Sequence, residues 1–353
     1  MTTPATFLLL TFKHERFVRA AVRGALAQDY RPLDILISDD ASPDGTFSII
    51  SDEVRAYRGP HRVRLNCNER RLGSVEHLMK VMGMVETEFV VMAHGDDISL
   101  PHRTGALVAA WKDRNVSMLS SNARFIDARG NEYKLTAESA ASRMVPFEEM
   151  VAKGWIPEML GATLAFEPAV LRKFDPLTRH TLAAGLDHVL PLRAAAMKGL
   201  YHLAEPLLLY RRHDDNMTNV IADRTTSRLV QDNTYLAFEM AARIRTLDDL
   251  RMLEAATPDD GALARLRARL EARLLDDLRS WSRMGAELHA ADLRPTWLSA
   301  QEMAARRIRP ELSLRLDEPF PDKVRRWLRP PLLERIRNRL RGMFGVGPDV
   351  EAG

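Results

Sequence analysis

The chain has 353 residues, 46% of them hydrophobic, with 51 lysines and arginines against 48 acidic residues. That is length for two domains and apolar content for a sizeable core. The single cysteine, Cys67, excludes an intrachain disulfide and fits a reducing compartment. No apolar run reaches the roughly 20 residues that span a bilayer, and Met1-Thr2-Thr3 leads straight into a strand-like segment, so a cytoplasmic protein is expected. Cys67 is expected to be a small buried hydrophobe. The formal charge of +3 conceals an asymmetry. Residues 320–345 hold eight basic side chains against Asp322 and Glu334, a local excess of six, which leaves the remainder acidic by three. The asymmetry points to a partner of the tail's own rather than to nucleic-acid binding along the whole surface.

From the N-terminus, Thr6–Thr11 is a buried strand, and Glu15–Gln28 a helix with Phe17, Val18, Ala21, Val22, Ala25 and Leu26 on one face. The rhythm repeats. Asp34–Ser38 is a second strand, ending in the turn Asp39-Asp40-Ala41-Ser42-Pro43-Asp44-Gly45, and a helix runs from Thr46 to about Ala56. A third strand, Arg62–Leu65, leads past Gly73 to a helix over Ser74–Val85. The fourth, Phe89-Val90-Val91-Met92-Ala93, stops on His94-Gly95-Asp96-Asp97. Four strand–helix units in succession predict a mostly parallel sheet with right-handed crossovers. A helix over Pro101–Asp113, a strand at Ser117–Ser121 and a turn at Asp127–Asn131 follow. Trp155–Phe166 is irregular and suits an acceptor-facing region; a helical segment then carries Gly185-Leu186-Asp187-His188, and Pro206–Tyr210 is strand-like. Beyond residue 222 helix formers dominate. Leu263, Leu266, Leu270, Leu274 and Leu278 on one helix, and Leu229, Leu236, Met240 and Ile244 on an earlier one, predict a helical hairpin without a sustained heptad.

Two strands thus end in Asp-Asp at one edge of one sheet, the edge at which open α/β sheets place ligands. Adjacent carboxylates are costly to bury unless a cation or a hydrogen-bond donor satisfies them. Magnesium or manganese, held by one or two carboxylates plus substrate phosphates, is the natural occupant and implies a diphosphate nearby. Two plainer readings stand beside this one. Asp96 and Asp97 would cap the helix after Pro101, and Asp39 would brace Ser42 and Asp44 within its turn.

Thr11-Phe12-Lys13-His14-Glu15-Arg16-Phe17, Leu26-Ala27-Gln28-Asp29-Tyr30, Ile37-Ser38-Asp39-Asp40-Ala41-Ser42-Pro43-Asp44-Gly45-Thr46 and Gly95-Asp96-Asp97 stand in the order that resembles family 2 glycosyltransferases. The resemblance covers about the first 220 residues. It implies the GT-A fold, an α/β nucleotide-diphospho-sugar transferase architecture with a mostly parallel central sheet flanked by helices, here with a C-terminal helical extension. By the same resemblance Thr11 and Phe12 contact the nucleotide, Asp40 bonds a uracil-type ring, and Asp39 shapes that pocket. Asp97 holds a Mn2+ or Mg2+ ion and Asp96 the donor's ribose or sugar. Asp187 takes the place of the acidic catalytic base, Arg211 closes over the diphosphate and His213 reaches the metal. Arg71, or its neighbour Arg70, contacts phosphate. Lys13 stands where the family usually has Asn, Gly95 where a further Asp is common, and Asn68–Gly73 follows the family's Asn-x-Gly turn only loosely. His94 and His188 are expected to be structural.

These expectations divide the chain into a catalytic domain (1–221), a helical extension (222–319) and a basic amphipathic tail (320–353). In the tail, Val324, Trp327 and Leu328, then Leu333, Ile336, Leu340 and Phe344, form apolar stripes flanked by arginines, as in a helix lying on an anionic membrane. The expected activity is metal-dependent, inverting transfer from a UDP-type sugar to a glycan or lipid-linked acceptor in surface polysaccharide synthesis. The helical extension is a surface for homo-oligomer formation, and no nucleic acid is expected as partner. A nucleotidyltransferase would carry a glycine-rich loop after the first strand, and Thr11-Phe12-Lys13-His14-Glu15 has no glycine. The other competitor is a sugar-nucleotide-binding scaffold without activity.

Overall fold

The computed structural model describes residues 2–135, 141–147, 149–150, 159–177, 186–213, 216, 228–257 and 261–290. The basic tail, and the Gly185 and Trp155 portions of the motifs above, lie outside them. The N-terminal units form as their patterns require. Strands β1 (Ala5–Thr11), β2 (Leu33–Asp39), β3 (Arg62–Cys67) and β4 (Val90–His94) alternate with α1 (Val18–Leu26), α2 (Thr46–Ala56) and α3 (Ser74–Met82). They pair in parallel in the order β3-β2-β1-β4. β1 and β2 are covered on both faces and carry the apolar runs Phe7–Leu10 and Ile35–Ile37. Val18, Ala21, Val22 and Ala25, at the spacing of one helix face, bury α1 against them.

After β4 the chain makes a tight turn and a two-residue strand, β5 (Ile98–Ser99), before α4 (Arg103–Arg114). His102 is the N-cap of α4, with no side-chain capping bond. Asp96 and Asp97 therefore do not cap that helix, because β5, paired antiparallel to β10, comes between. β6 (Met118–Ile126) outruns its predicted length and pairs in parallel with β10 (Leu200–Arg211), while β9 (Ala165–Phe166) runs antiparallel between β4 and β6. β10 exceeds the predicted Pro206–Tyr210 because the ladder absorbs Pro206 at a register shift, where a missing N–H costs no bond. β7 (Glu132–Leu135) pairs with β6 and β8 (Arg143–Val145) with β10, which brings the strands among the described residues to ten in one sheet.

A short helix α5 (Ala169–Arg172), α6 (Leu186–Ala195) and the long α7 (Arg228–Ala256) and α8 (Gly261–Ala290) follow. α7 and α8 form the expected hairpin, with Leu263, Leu266, Leu270 and Leu274 buried in the core cluster that also holds Leu190, Met240 and Leu250. The hairpin is thus continuous with the hydrophobic core under α6. Cys67 departs from expectation: it is exposed, since β3 is the sheet's edge strand. No described helix is long and apolar enough to cross a membrane.

Candidate active site

The parallel register brings the ends of β1, β2, β4, β6 and β10 to one edge of the sheet. At the end of β1, Thr11 Oγ1 donates to Asp39 Oδ1 at 2.8 Å. The Asp39 carboxylate also accepts from Ser42 N and Ser42 Oγ, both at 2.7 Å, so its turn-bracing role is real and directed at Ser42. Asp40, 2% exposed, accepts from Asn68 Nδ2, Leu72 N and Gly73 N, each at 2.8 Å. It clasps the loop that carries Arg71. That arginine's guanidinium lies 4.2 Å from the centroid of Phe12, so Thr11, Phe12, Asp39, Asp40 and Arg71 form one continuous wall. A carboxylate has about four lone-pair sites, and three on Asp40 are taken by the loop. Lys13 and Ala41 sit in the left-handed region at φ 56° and 55°. Asn adopts that conformation more readily than Lys does, a backbone reason for the family's Asn at position 13.

The acidic pair is built by close backbone approach. Gly95 N bonds Leu10 O at 3.0 Å, and a Cβ at Gly95 would lie 2.5 Å from His14 Nδ1 and 2.7 Å from Thr11 Cγ2. A further Asp at this position has no room. Asp96 Oδ2 faces His213 Nε2 at 3.3 Å, Asn216 Nδ2 at 3.4 Å and His14 Nε2 at 3.8 Å. Burial pushes the Asp96 carboxyl up, and the His213 hydrogen bond with the His14 and His94 rings more than offsets it, holding the group at about 2. Asp97 is the opposite case. Its Oδ1 accepts from Arg211 N at 2.8 Å, but Oδ2 is buried with no partner. Burial, then the Asp96 charge, raise it well above the usual carboxylate range.

A ring nitrogen of His94 and one oxygen each of Asp96 and Asp97 all lie within 4.8 Å of one another. Burial lowers the His94 pKa and keeps the ring in the neutral form that ligates metals. An orphaned buried oxygen beside a second carboxylate and a neutral imidazole fits a divalent cation by donor chemistry. His94, taken as structural from sequence, belongs to the cluster, and His213 stands against Asp96 of that cluster. His14 and Asn216 were also missed. The usable signal was position: His94 and His14 close strands β4 and β1 at the edge where the acidic pairs converge.

Arg211 ties the site's halves together. Its Nε donates to Asp96 O at 2.9 Å and its Nη1 to Asp127 O at 3.1 Å, with the guanidinium 4.9 Å over the Phe17 ring. A second arginine, which the sequence did not single out, does the same from below. Arg103 is fully buried, and it donates to Ser99 Oγ at 2.8 Å and to Met92 O and Ala162 O at 2.7 Å. Burial lowers its pKa to about 10. Through Ala162 it fixes the 3-10 turn Gly161–Thr163 beside β4. Asp187, in the first turn of α6, covers that turn: its Oδ2 lies 3.6 Å from where a Gly161 Cβ would be. The carboxylates at 39–40 and 96–97 therefore meet at the carboxyl edge of one sheet, and Asp187 covers the turn that packs beside β4.

A sequence profile described as glycosyl transferase family 2 matches residues 6–166, the span from β1 to β9. EpsE from Bacillus subtilis (strain 168), whose name assigns it to the glycosyltransferases, is 24% identical over 234 residues, 65% of this chain and 79% of EpsE. Among solved structures, S. aureus TarS 1-349 in complex with UDP-GlcNAc superposes with a TM-score of 0.50 at 14% identity, covering 90% of this chain and 93% of that one. The same fragment in complex with UDP gives 0.50 at 13% identity. Profile, strand order and motif placement agree: residues 6–166 form a glycosyl transferase family 2 domain, and the fold is the GT-A fold.

Proposed function

We propose that this transferase moves a sugar from a nucleotide-diphosphate donor, a UDP-sugar, to a hydroxyl of a glycan or lipid-linked acceptor in surface polysaccharide synthesis, with inversion at the anomeric carbon. The observation that carries this reading is the unpartnered buried oxygen of Asp97 inside the His94–Asp96–Asp97 cluster at the carboxyl edge of the sheet. Asp97, with His94 or Asp96, would hold a Mn2+ or Mg2+ ion, which when bound neutralises charge building on the departing diphosphate. Thr11, Phe12, Asp39, Asp40 and Arg71 line the nucleotide side. The Phe12–Arg71 pair offers a flat cationic face to a base or a phosphate. Arg211 keeps the acidic turn aligned and lends positive charge to the leaving side.

Asp187 acts as the base. An acceptor hydroxyl attacks poorly until its proton is removed, and a carboxylate opposite the leaving group removes it during in-line attack, worth about 10²–10⁴-fold. That UDP and UDP-GlcNAc occupy the TarS fragment supports the donor class. The enzyme would work at the cytoplasmic face of the membrane, with residues 320–353 on the lipid; truncation after Asp322 should then abolish flotation with anionic liposomes and spare donor hydrolysis. The decisive experiment is UDP titration by calorimetry with and without Mn2+, followed by UDP-sugar turnover in wild type and Asp187→Asn. Metal-enhanced UDP binding, with turnover reduced about 10²-fold or more in the variant, is expected. Undiminished turnover in Asp187→Asn removes the base assignment, and UDP binding indifferent to metal removes the cation.

A further inference from the structure

β7 does not follow β6 in regular register. Lys134 lies opposite Phe125 and Glu132 opposite Ile126, which leaves Tyr133 as an extra residue bulged from the ladder. Bulges re-aim side chains, and they recur next to active sites. This one lays the Tyr133 ring over Phe125, with centroids 6.1 Å apart and planes within 17°. Tyr210, opposite Phe125 on β10, meets the same ring edge-on at 5.4 Å. Phe125 is closed off at 9% exposure, whereas Tyr133 presents itself at 58%. Lys134 Nζ and Arg212 Cζ stand 5.9 and 5.5 Å from the Phe125 centroid. Both cations are exposed, and neither has an acidic partner among the described residues.

This aromatic stack is joined to the catalytic edge. Tyr210 immediately precedes Arg211, whose N–H holds Asp97. Tyr210 and Leu160 both pack against the small cluster of Ala123, Ala162 and Leu208, and Leu160 and Ala162 flank the Gly161 that Asp187 covers. The stack is therefore on the Asp187 side of the sheet, away from the Phe12–Arg71 wall assigned to the nucleotide. A rigid, exposed tyrosine offers a flat apolar face with a polar tip, a match for the C–H face of a pyranose. Two cations without an acidic partner among the described residues stand beside it and call for negative charge on the same ligand.

We infer that Tyr133, backed by Phe125 and Tyr210, is an acceptor subsite for a sugar ring bearing an adjacent anionic group, whose charge Lys134 and Arg212 receive. This rests on the reading of the chain as a transferase with a glycan acceptor. The anion is a phosphate or a carboxylate, and the test separates the two.

Saturation-transfer difference NMR on the full chain would use glucose 1-phosphate, glucuronate and methyl glucoside as probes. Both anionic sugars are expected to bind about fivefold or more tighter than methyl glucoside, and the tighter of the two identifies the anion. Tyr133→Ala should raise the Kd of all three by about tenfold. Lys134→Gln with Arg212→Gln should bring the anionic sugars to the value for methyl glucoside. UDP affinity should be unchanged in every variant, which also shows that each is folded. Unchanged sugar binding in Tyr133→Ala, or no binding of any sugar to the wild type, overturns the subsite. If UDP fails to bind while sugars still saturate through Tyr133, the donor reading fails and the subsite stands.

Discussion

The join between α6 and α7 can be tested quantitatively. Arg193 and Asp249 form an ion pair with 0% exposure on both sides, with Nε–Oδ2 at 2.7 Å and Nη2–Oδ1 at 3.0 Å. Arg245 Nε also donates to Asp249 Oδ1, at 3.1 Å. Arg193 is on the same helix as Asp187, so this pair fixes that helix to the C-terminal hairpin. Asp249→Ala would strand two buried guanidinium groups. Removing one partner of a buried pair costs about 3–5 kcal/mol. Arg245 keeps Asp175 at 3.8 Å and Asp248 at 3.9 Å, which places the expected loss near the lower end, about 3 kcal/mol. At about 2–4 °C per kcal/mol for a chain of this size, the melting temperature should fall by about 6–12 °C. Arg193→Met combined with Asp249→Leu should recover part of that loss, because the apolar pair removes the Arg193 desolvation cost while Arg245 retains only its longer contacts to Asp175 and Asp248. Thermal unfolding followed by circular dichroism measures both variants. An Asp249→Ala protein melting within about 2 °C of wild type, or a double variant as unstable as the sum of its singles, would refute the reasoning.

Three further outcomes follow from local geometry. Gly95→Ala forces a Cβ to 2.5 Å from His14 Nδ1; it should cost about 1–3 kcal/mol and weaken UDP binding, and a companion His14→Ala should restore part of the stability. Equal melting and equal UDP affinity in Gly95→Ala would count against the crowding. Ala41→Gly relieves a left-handed backbone at φ 55° and should stabilise by up to about 1 kcal/mol in a urea titration, so a clear loss would contradict it. The third concerns pH. Burial, then the Arg143 charge, hold the His202 imidazole down at about 4, while it bonds Ser120 Oγ at 2.8 Å and Asn122 Oδ1 at 3.1 Å. The unfolded chain takes up this proton below about 6.5, and the folded one only near 4. Its contribution is complete above 6.5 and is lost on acidification between those values, by up to about 1.4 kcal/mol per pH unit. His202→Gln should flatten that slope of stability against pH, and an identical slope would exclude His202 as its source.

The sequence by itself determined the parallel half of the sheet. Phe7–Leu10, Ile35–Ile37 and Phe89–Ala93 are apolar runs that call for burial on both faces, and the helices between them carry one-sided apolar spacing. It also put Asp39–Asp40 and Asp96–Asp97 at one edge, since strands parallel in a sheet end together. The heptad-free leucine spacing after residue 222 was enough for a hairpin. What it left open were properties of pairs distant in the chain. Whether Asp96 and Asp97 capped a helix depended on β5 finding β10, more than a hundred residues away. The length of β10 depended on a bulge at Pro206 that local propensity disfavours. Only the folded chain shows that Asp39 and Asp40 spend their oxygens bracing loops, that His94 joins the acidic pair, and that Asp97 keeps one buried oxygen unpaired. Two adjacent aspartates have the same residue type and nearly the same depth; their opposite pKa shifts come from which long-range donors reach each carboxylate, and tertiary contacts alone decide that.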